Sequence, residues 1–501
     1  MDASKQVELY KRLHEEAKVR AETRLFDFFV QAWRTMEARF PLYPNWHLGL
    51  MAEHLEAVYE GQIEKLVINI PTRYLKTKMC CIAFPAWVWQ KDPKKKFITW
   101  SYAKDIATGI SWERRQLIES KWYQTYWSDR VKMADDQNQK TRYANQAKGS
   151  MFATSTGASM TGEGCDIMVI DDPVNPKEAS NDIMRQNCNE FWSGTASSRF
   201  DDKKKKSCVL VMQRLHEKDL TGYFLENYPE TVVHLKVPNE APEDRIYSYP
   251  KTNRVKHYRE GEILQPQRED TKELEFALRE LGSYNYAAQR QQEPVPRGGG
   301  IIKESWFKYW RDPLPDRMSQ PTISVDCAFK DLEDSDYVVF QAWASQGPRH
   351  YLLKQLRAQM SFLKTKDSLE HWLTHLFPNY KECLIEDKAN GPAIINVLKQ
   401  DFARIMPISP KDSKVARLTA CEPDIEAGDV FLPDPDLNPW VREVLIPEVI
   451  AFPKAANDDQ VDAMTQYLNR QKTELVGSLS DLMDDEAPGR SGTIVGSLSS
   501  L

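Results

Sequence analysis

The sequence contains few of the residues that build zinc sites and disulfide frameworks. It has eight cysteines and nine histidines among 501 residues. Only Cys80 and Cys81 lie close together, and no two cysteines have the C-x-x-C spacing of a zinc site. We therefore expect reduced thiols and a protein of the cytoplasm.

Long apolar runs and a clear excess of one charge are also missing. No apolar stretch approaches the ~18 residues of a membrane-spanning helix, and the charged start MDASKQVELYKRLHEEAKVR has no apolar export signal. These absences predict a protein that is neither exported nor inserted in a membrane. The net charge of −6 does not by itself indicate a polyanionic partner, but a local basic surface can bind nucleic acid whatever the sum.

Glycine is absent where a phosphate-binding loop would need it. In INIPTRYLKTKM, Lys76 and Thr77 match the end of the pattern G-x-x-x-x-G-K-[ST], but Ile70 and Leu75 occupy both glycine positions. The preceding run Leu66–Ile70 predicts a buried strand, and an apolar helix is predicted from Thr77 onward. The order strand, loop, helix is that of a phosphate site. A surface Lys-Thr pair on an ordinary strand-to-helix turn is the alternative.

The distribution of apolar residues predicts an α/β chain of several parts. Residues 5–60 have helical spacing, and from about 63 to 235 short apolar runs recur between helix-like stretches, as in a parallel sheet with crossover helices. QQEPVPRGGG, which ends in Gly298–Gly300, is the best linker candidate, and strand-like runs of a second α/β unit follow it. We predict a helical region, a first domain, a linker region, a second domain and a disordered acidic tail, at residues 1–60, 61–240, 241–300, 301–471 and 472–501.

Two carboxylates follow a predicted strand downstream of the Lys-Thr pair. In CDIMVIDDP, Asp171 and Asp172 come directly after the apolar run Ile167–Ile170. A nucleoside triphosphatase needs one carboxylate at such a strand end to hold Mg²⁺ through water, and a neighbouring acid to orient the attacking water. The next strand ends at Gln213 and Arg214, which could sense the γ-phosphate. An ordinary surface arginine is the alternative for Arg214.

A second group of carboxylates is spread over two strand ends and a helix start. Asp326 ends the strand of TISVDCAF, Glu386 ends that of ECLIED, and NDDQVDAMTQYL places Asp458, Asp459 and Asp462 where a helix begins. Carboxylates without nearby histidine or cysteine make a hard oxygen site suited to Mg²⁺ or Mn²⁺. Two such ions about 4 Å apart activate water and stabilise the leaving oxygen of a phosphodiester, as in RNase H-like nucleases. A helix cap or solvated turn residue is the alternative for each acid.

The chain resembles the large terminase subunit of tailed bacteriophages, the ATPase and nuclease that packages DNA into the procapsid. The resemblance runs from about residue 40 to 470 and rests on four stretches in the same order, PNWHLGLMAEHLEAVYEGQIEKLVINIPTRYLKT, TSTGASMTGEGCDIMVIDDP, VLVMQRLHEKDLTG and YNYAAQRQQEPVPRGGGIIKESWFKYW. It implies a P-loop (RecA/ASCE-like) ATPase domain with a mainly parallel sheet, followed by an RNase H-like α/β nuclease domain. The implied cofactors are ATP and Mg²⁺ or Mn²⁺.

The resemblance also assigns residues of the phosphate loop. Relatives usually read P-P-R-H-G-K-[ST], of which this chain keeps Pro71, Arg73, Lys76 and Thr77. Arg73 would bind nucleotide, Lys76 would bind the β- and γ-phosphates and Thr77 would be a Mg²⁺ ligand. Leu75 replaces the usual glycine, and a leucine in a left-handed conformation would strain the loop by roughly 1 kcal/mol.

By the same resemblance, Asp171 is the metal-anchoring acid and Asp172 orients the attacking water, with Glu178 as a second candidate. The resemblance further suggests residues that contact adenine and residues that act as an arginine finger, a structural salt bridge being the alternative for each arginine. They are Trp46 and His47 for adenine, and Arg142 or Arg199 for the finger.

In the second domain the resemblance makes Asp326 and Glu386 metal ligands, and Asp459 and Asp462 are both candidates to complete the site. Basic residues could hold the DNA backbone beside it. They are Lys411, Lys414 and Arg417, and the run Lys203–Lys206, with Lys94–Lys96, is a further candidate for phosphate contacts, a solvated turn being the alternative.

The implied function is ATP-driven movement of double-stranded DNA into a procapsid and metal-dependent cutting of concatemeric DNA. Implied partners are a portal protein, a small terminase subunit and further copies of the chain in a pentameric ring, all in the cytoplasm of an infected bacterium. The tail after residue 472 is a hypothetical docking segment. Two alternatives stay open: a helicase-nuclease of repair or restriction, and a metal nuclease carried on a degenerate nucleotide-binding scaffold.

Overall fold

The chain forms two compact units, Met1–Pro296 and Arg297–Leu501. The structure is a computed structural model that describes residues 3–294, 300–327, 337–387, 391–410, 412–455 and 457–485. Each unit combines helices with a sheet that contains parallel strands, so the predicted α/β fold class is confirmed. Of the predicted linker glycines, Gly298 and Gly299 lie outside the described residues.

Helices of the first unit begin with three that occupy the segment predicted to be helical. The α-helices are α1 (Ala3–Thr23), α2 (Leu25–Met36), α3 (Trp46–Tyr59), α4 (Phe84–Lys91), α5 (Lys104–Glu119), α6 (Lys121–Trp127), α7 (Asp182–Gly194), α8 (Leu220–Asn227) and α9 (Thr271–Gln289). A π-helical segment, Lys78–Ala83, leads into α4, and a 3-10 turn, Ala196–Ser198, follows α7.

The strands of the first unit form one large sheet and one hairpin. They are β1 (Lys65–Asn69), β2 (Phe97–Ser101), β3 (Met133–Asn138), β4 (Arg142–Asn145), β5 (Ser150–Ser155), β6 (Ile167–Asp171), β7 (Ser207–Met212), β8 (Val232–Lys236), β9 (Arg245–Ser248) and β10 (Val255–Tyr258). The large sheet has the order β3-β4-β5-β2-β6-β7-β1-β8. Its strands from β5 to β8 pair in parallel, and β3 and β4 are antiparallel additions at one edge.

Strand β7 separates β1, which precedes the Lys-Thr loop, from β6, which precedes the two aspartates. The registers Asn69↔Met212 and Asp171↔Val211 bring the carboxyl ends of these three strands to nearly the same level. Ligands of open α/β sheets bind outside the carboxyl ends of parallel strands. The topology therefore gathers the loop, the aspartates and the residues after β7 at one edge.

Apolar layers cover both faces of this sheet. Leu66 and Ile68 of β1 pack into one hydrophobic cluster, and Val67 packs into the other. Successive side chains of a strand point to opposite faces, so a strand buried on both faces is apolar throughout. This explains why the uninterrupted apolar runs in the sequence predicted these strands.

The predicted linker region 241–300 belongs to the first unit up to residue 294. It contains the antiparallel pair β9 and β10 and the helix α9. The turn of the hairpin is fixed by Glu53, a buried carboxylate of α3 that accepts hydrogen bonds from the backbone N–H groups of Lys251 and Thr252, both at 3.0 Å. Alternating polar residues in this segment conceal its strands from an apolar-run analysis.

The second unit is built on a sheet of the order β11-β17-β14-β13-β12-β15-β16. Its strands are β11 (Lys308–Trp310), β12 (Thr322–Cys327), β13 (Val338–Gln346), β14 (Arg349–Ala358), β15 (Glu382–Glu386), β16 (Ile405–Ile408) and β17 (Val430–Pro433). Strands β12, β13 and β14 form an antiparallel meander, and β15 and β16 continue the sheet parallel to β12. This is the strand order of an RNase H-like sheet, extended by β17 and β11.

The helices of the second unit are α10 (Phe362–His371), α11 (Gly391–Leu398), α12 (Lys414–Glu426), α13 (Ile446–Ala451) and α14 (Asp459–Asp485), with short segments at Glu304–Trp306, Trp372–Leu376 and Val441–Leu445. Helix α14 continues through residues 472–485, so the prediction of disorder from residue 472 is wrong for this part. Residues 486–501 lie outside the described range.

The structure also describes the cysteines, which were predicted to be reduced, and the helices, none of which was predicted to span a membrane. All eight cysteines are buried and unpaired, as expected for reduced thiols. None of the helices in the described part of the chain is long and apolar enough to cross a membrane.

Candidate active sites

The loop between β1 and the following helix keeps a left-handed backbone although it has no glycine. Leu75 has φ = 66° and Arg73 has φ = 68°. Leu75 is half-buried and packs against the core, whereas Arg73 is exposed. The strain expected for a leucine at this position is therefore present, at roughly 1 kcal/mol. Lys76 and Thr77 follow in helical conformation.

Lys76 and Thr77 each contact one of the two aspartates after β6. Lys76 is 4% exposed, and its Nζ lies 3.2 Å from Oδ2 of Asp172. The hydroxyl of Thr77 lies 3.1 and 2.9 Å from the two carboxylate oxygens of Asp171. The structure thus brings together the four residues that the sequence placed in the phosphate and magnesium site.

Asp171 is a buried acid with an unusual affinity for protons. Burial, followed by repulsion from Asp172, raises its pKa to about 7, although Lys76 and Thr77 act in the opposite direction. The carboxylate of Asp171, the hydroxyl of Thr77 and the carboxylate of Asp172 together offer hard oxygen donors. Such donors suit Mg²⁺, and a cation would also relieve the repulsion between the two carboxylates. The residues present therefore fit the ion that nucleotide chemistry requires.

Asp172 is held at a fixed position by its backbone and by its neighbour strand. Its φ of 40° is left-handed, and its Oδ1 accepts a hydrogen bond of 3.1 Å from the backbone N–H of Gln213. Gln213 thus contributes to the site through its main chain. Glu178, the second candidate for orienting water, is exposed in the loop that follows.

Arg214 is engaged within the loop that follows β7. Its Nε donates to both oxygens of Asp219, at 3.1 and 2.9 Å, and its Nη2 donates to the carbonyl oxygens of His216 and Glu217. Asp219 is also the N-cap of α8. In this structure Arg214 therefore braces the start of α8, and the predicted role as a γ-phosphate sensor has no support from its contacts.

The predicted arginine-finger candidates also have structural partners. Arg142 forms an ion pair of 3.2 Å with Glu163, and Arg199 donates to the carbonyl oxygens of Thr195 and Met160 at 3.3 and 3.4 Å. These contacts agree with the salt-bridge or structural alternative. The sequence gives no reason to prefer another arginine.

The residues predicted to contact adenine lie beside the phosphate loop. His47 is fully buried, and its ring centroid is 5.7 Å from that of Tyr74 in the loop. Burial lowers the pKa of His47 to about 3, so the imidazole is neutral at physiological pH. Trp46 packs against Tyr247 and Tyr258 of the hairpin, with ring centroids 5.2 Å apart in both cases. Contact with adenine stays a prediction.

In the second unit, four of the predicted acids converge. Asp326 and Glu386 stand at the carboxyl ends of the adjacent parallel strands β12 and β15, where Val325 pairs with Ile385. Burial raises the pKa of Asp326 well above its usual range, and repulsion from Asp462, Asp459 and Glu386 adds to the rise. The carboxylates of both strands and of α14 therefore repel one another at this edge of the sheet.

Basic side chains of α12 neutralise this acidic cluster. Lys414 Nζ lies 2.7 Å from Asp462 Oδ2 and 2.7 Å from Asp458 Oδ1. Arg417 lies 2.8 Å from Asp462 Oδ1 and 3.5 Å from Glu386 Oε2. Within the residues that the structure describes, no three His, Cys, Asp or Glu side chains form a ready-made metal shell. The donor set fits a hard divalent ion, but Asp462 must exchange its basic partners to bind one. Lys411 lies outside the described residues.

Gln466, a buried glutamine that was not predicted from the sequence, fixes α14 across β12 and β15. Nε2 of Gln466 contacts Ser324 Oγ, Val325 O and Leu384 O at 3.0, 3.3 and 3.1 Å. Ser324 Oγ in turn donates to Ala463 O at 2.7 Å. Gln466 is one helical turn after Asp462, so its anchoring sets the position of that acid. A polar residue on the otherwise apolar face of the predicted helix is the signal that could have identified it.

A family model matches part of the second unit. Residues 323–471 match the family model described as the terminase RNaseH-like domain, a range that contains all four converging acids. No curated protein matches the chain. The predicted resemblance to large terminases is therefore confirmed by the family model over this range.

Solved structures of phage terminases are also similar to the chain. One is the large terminase from a thermophilic bacteriophage in complex with ADP, with 12% identity, coverage of 83% of this chain and 98% of that chain, and a TM-score of 0.46. Another is the HK97 bacteriophage large terminase, with 11% identity, coverage of 89% and 99%, and a TM-score of 0.36. A third is the nuclease domain of the bacteriophage SPP1 large terminase with bound Mn, with 14% identity, coverage of 34% and 99%, and a TM-score of 0.26.

Proposed function

We propose that this chain, whose second unit matches the terminase RNase H-like domain, is a large terminase subunit. Its first unit would hydrolyse ATP to move double-stranded DNA into a procapsid, and its second unit would cut concatemeric DNA with the help of divalent metal ions. The large terminase of the thermophilic bacteriophage has been solved with ADP, and the SPP1 domain with Mn. We propose the same two classes of cofactor here.

One observation supports the proposal above all others. Lys76 and Thr77, which follow the loop after β1, are paired with Asp172 and Asp171, at the carboxyl end of β6. A lysine, a hydroxyl and two acids at the carboxyl edge of one parallel sheet are the parts that phosphoryl transfer needs. They occur in the same chain as a nuclease domain, which is the combination that a packaging enzyme requires.

Each residue of the first site would have its own role in ATP hydrolysis. Lys76 leaves Asp172 and binds the β- and γ-phosphates, which frees the Asp172 carboxylate to orient water. Thr77 and Asp171 hold Mg²⁺, directly or through water. The ion, when bound, neutralises charge that develops on the phosphate oxygens. Asp171, whose pKa is raised by burial, would hold the ion in its carboxylate form.

The second site would supply carboxylate ligands for phosphodiester hydrolysis. Asp326 and Glu386 provide ligands from the strands, and Asp459 and Asp462 provide them from α14. Divalent ions held by these carboxylates would supply activation of water and stabilisation of the leaving oxygen. Arg417 and Lys414, which pair with Asp462, would contact the phosphates that flank the cut.

Duplex DNA also has a candidate surface on the first unit. The lysine run Lys94–Lys96 directly precedes β2, and the run Lys203–Lys206 directly precedes β7. Lys96 forms an ion pair of 2.9 Å with Asp201, which lies two residues before the second run. Both therefore lie at the amino edge of the parallel sheet, opposite the phosphate loop. We propose that this lysine edge contacts the DNA backbone without reading sequence.

The remaining partners follow from the proposed family membership. A portal protein, a small terminase subunit and a pentameric ring of this chain would complete the motor, and the host cytoplasm would be its location. No described residue of this chain carries an argument for any one of them, so they depend on the terminase assignment.

The test of the motor function is ATP hydrolysis with duplex DNA, measured for the wild type and for Lys76→Ala. We expect the variant to lose activity by about 100-fold or more, since the lysine stabilises charge on the transferred phosphoryl group. Lys78→Ala is the matched control, because Lys78 stands two residues later and pairs with Glu113. Equal activity of wild type and Lys76→Ala, or no activity in either, would favour the nuclease on an inactive scaffold.

The test of the nuclease function is cleavage of duplex DNA in Mn²⁺ by Asp326→Asn and by Asp401→Asn. Asp326 lies in the cluster, whereas Asp401 is an exposed acid that follows α11. We expect Asp326→Asn to lose cleavage and Asp401→Asn to keep it. Cleavage that survives in Asp326→Asn would contradict the assignment of this site.

A further inference from the structure

Tyr74 occupies an unusual position in the phosphate loop. It stands between Arg73 and Leu75, which both have left-handed backbones without being glycine. Such conformations persist in a protein only when the surroundings determine them more strongly than the local preference of the chain. The loop must therefore be held by contacts that a glycine-containing loop does not need.

The side chain of Tyr74 supplies contacts of this kind. It is 1% exposed, although it lies in a loop whose neighbour Arg73 is exposed. Its hydroxyl donates to Glu269 Oε2 at 2.8 Å and accepts from Asn239 Nδ2 at 3.1 Å. Burial, together with the Glu269 carboxylate, raises the pKa of Tyr74, so the hydroxyl remains a donor at physiological pH.

The anchor of this hydroxyl is itself rigid. Nη1 of Arg290 lies 2.9 and 3.0 Å from the two carboxylate oxygens of Glu269. The backbone of Asn239 also donates to the carbonyl oxygen of Arg290 at 2.8 Å. The three anchoring residues therefore restrain one another, and none of them belongs to the loop, to β6 or to β7.

We propose that Tyr74 is a positioning residue that replaces the missing glycine of the phosphate loop. By fixing its hydroxyl to Glu269 and Asn239, it holds the backbone on either side in the left-handed curve that directs N–H groups toward phosphates. The proposal rests on the proposed ATP-binding function of this loop. Tyr74 is buried and does not act on the reacting atoms; its effect reaches the nucleotide through Leu75 and Arg73.

Combined substitutions at Tyr74 and Leu75 distinguish a compensating tyrosine from one that only stabilises the fold. If the tyrosine compensates for leucine, then its hydroxyl matters while Leu75 is present and matters much less once glycine makes the left-handed conformation easy. If the hydroxyl only stabilises the fold, its removal has the same effect in both backgrounds. A double-mutant cycle separates these cases, because contacting residues that share a function give non-additive effects.

The experiment measures the binding of ATPγS with Mg²⁺, and the melting temperature, for the wild type, Tyr74→Phe, Leu75→Gly and the double variant. We expect Tyr74→Phe to weaken binding about tenfold in the wild type and less than about threefold in Leu75→Gly, as for one hydrogen bond near the upper end of its usual contribution. Tyr143→Phe is the matched control, because Tyr143 is a buried tyrosine of the same unit whose hydroxyl accepts from Arg114 Nε at 2.8 Å. It should lower the melting temperature and leave ATPγS binding unchanged.

Two results would overturn the proposal. One is an equal loss of binding from Tyr74→Phe in both backgrounds, and the other is no loss in a folded Tyr74→Phe variant. Should Tyr74→Phe fail to fold, tighter ATPγS binding by Leu75→Gly alone still supports the strain that the proposal requires, and unchanged or weaker binding contradicts it. A folded wild type that does not bind ATPγS refutes the proposed function itself, and is recognised by its normal melting temperature.

Discussion

At the scale of single residues, each acidic site contains a lysine whose ammonium group pairs with one or more of the carboxylates. Lys76 pairs with Asp172 in the first unit, and Lys414 pairs with Asp458 and Asp462 in the second. A buried carboxylate without such a partner would bear the full cost of desolvation. Lys414 therefore stabilises Asp462 and competes with a metal ion for this carboxylate, whereas Lys76 would move from Asp172 to the phosphates of a nucleotide.

Removing the competing charge should strengthen metal binding in the second unit. We expect Lys414→Ala to bind Mn²⁺ about fivefold to tenfold more tightly than the wild type, because Asp458 and Asp462 lose a positive partner at 2.7 Å. Isothermal titration calorimetry measures this directly. Lys472→Ala is the control, since Lys472 pairs with Asp424 at 2.8 Å. Weaker binding by Lys414→Ala would show that the lysine assists the metal.

The buried His47 predicts a pH dependence of stability. Its pKa is lowered by burial to about 3 from an ordinary value of 6.5, so the folded protein disfavours the protonated ring. The stabilisation by the neutral ring is present above pH 6.5 and is lost as the pH falls toward 3, with a limiting slope of about 1.4 kcal/mol per pH unit.

The corresponding measurement compares melting temperatures at pH 7 and pH 5. We expect His47→Phe to show a smaller drop between these pH values than the wild type, because phenylalanine takes up no proton. His257→Phe provides the comparison at an exposed histidine of the same unit. An identical drop in the wild type and in His47→Phe would exclude His47 as the source of the pH dependence.

At the scale of secondary-structure elements, the lysine edge predicts a salt-dependent contact with DNA. Lys203, Lys204 and Lys205 are exposed and form no ion pair within the described residues. Each phosphate contact contributes ~0.9 to the slope of log binding constant against log salt concentration. Replacing the three lysines by alanine should therefore reduce the slope by up to about 3.

The slope is measured by titrating a fluorescent duplex at several salt concentrations. The control replaces three exposed lysines of the same unit by alanine, namely Lys11, Lys121 and Lys140, which gives the same change in net charge. Equal slopes for the two triple variants would show that overall charge, and no particular surface, determines DNA binding.

The elements differ in how well the sequence predicts them. Strands β1, β2, β6 and β7 follow from apolar runs, because they are buried on both faces of the sheet, and the edge strand β8 follows from its run of valines although Val233 is exposed. The edge strands β3 and β4 and the hairpin strands β9 and β10 were missed, because their polar and apolar residues are mixed. These strands depend on tertiary partners such as Glu53, which no local pattern reveals.

The two sites were predictable to a similar extent. Acids at strand ends, such as Asp171 and Asp326, follow from the order of apolar runs and carboxylates, since parallel strands end at one edge. The pairing of Arg214 with Asp219 could not be predicted, because no local pattern in the sequence shows which acid an arginine meets in three dimensions. The anchoring role of Gln466 could not be predicted either, because its three hydrogen-bond partners lie far away in the sequence.

At the scale of the whole molecule, the chain consists of two units with separate hydrophobic clusters. A ligand that binds only the native form of one unit stabilises that unit, by about 2.7 kcal/mol at 100 times the dissociation constant. We therefore expect two thermal transitions in calorimetry. Mg²⁺ with ATPγS should raise one of them and Mn²⁺ alone the other, by several degrees each.

The variants named above identify the transitions. Lys76→Ala should abolish the shift with ATPγS and keep the shift with Mn²⁺, and Asp326→Asn should do the reverse. A single transition that both ligands raise together would contradict independent folding of the units.

The anchored tyrosine has a consequence for how such loops are recognised and how they change over generations. Once Glu269 and Asn239 hold the loop, the fingerprint of the site is distributed over residues far apart in the chain, and a search for glycines overlooks it. The order in which the tyrosine and the leucine are replaced then matters. A chain that loses the tyrosine first keeps a strained loop without its support, whereas a chain that regains glycine first makes the tyrosine dispensable. The order of substitutions, and not only their identity, then decides which descendants still bind nucleotide.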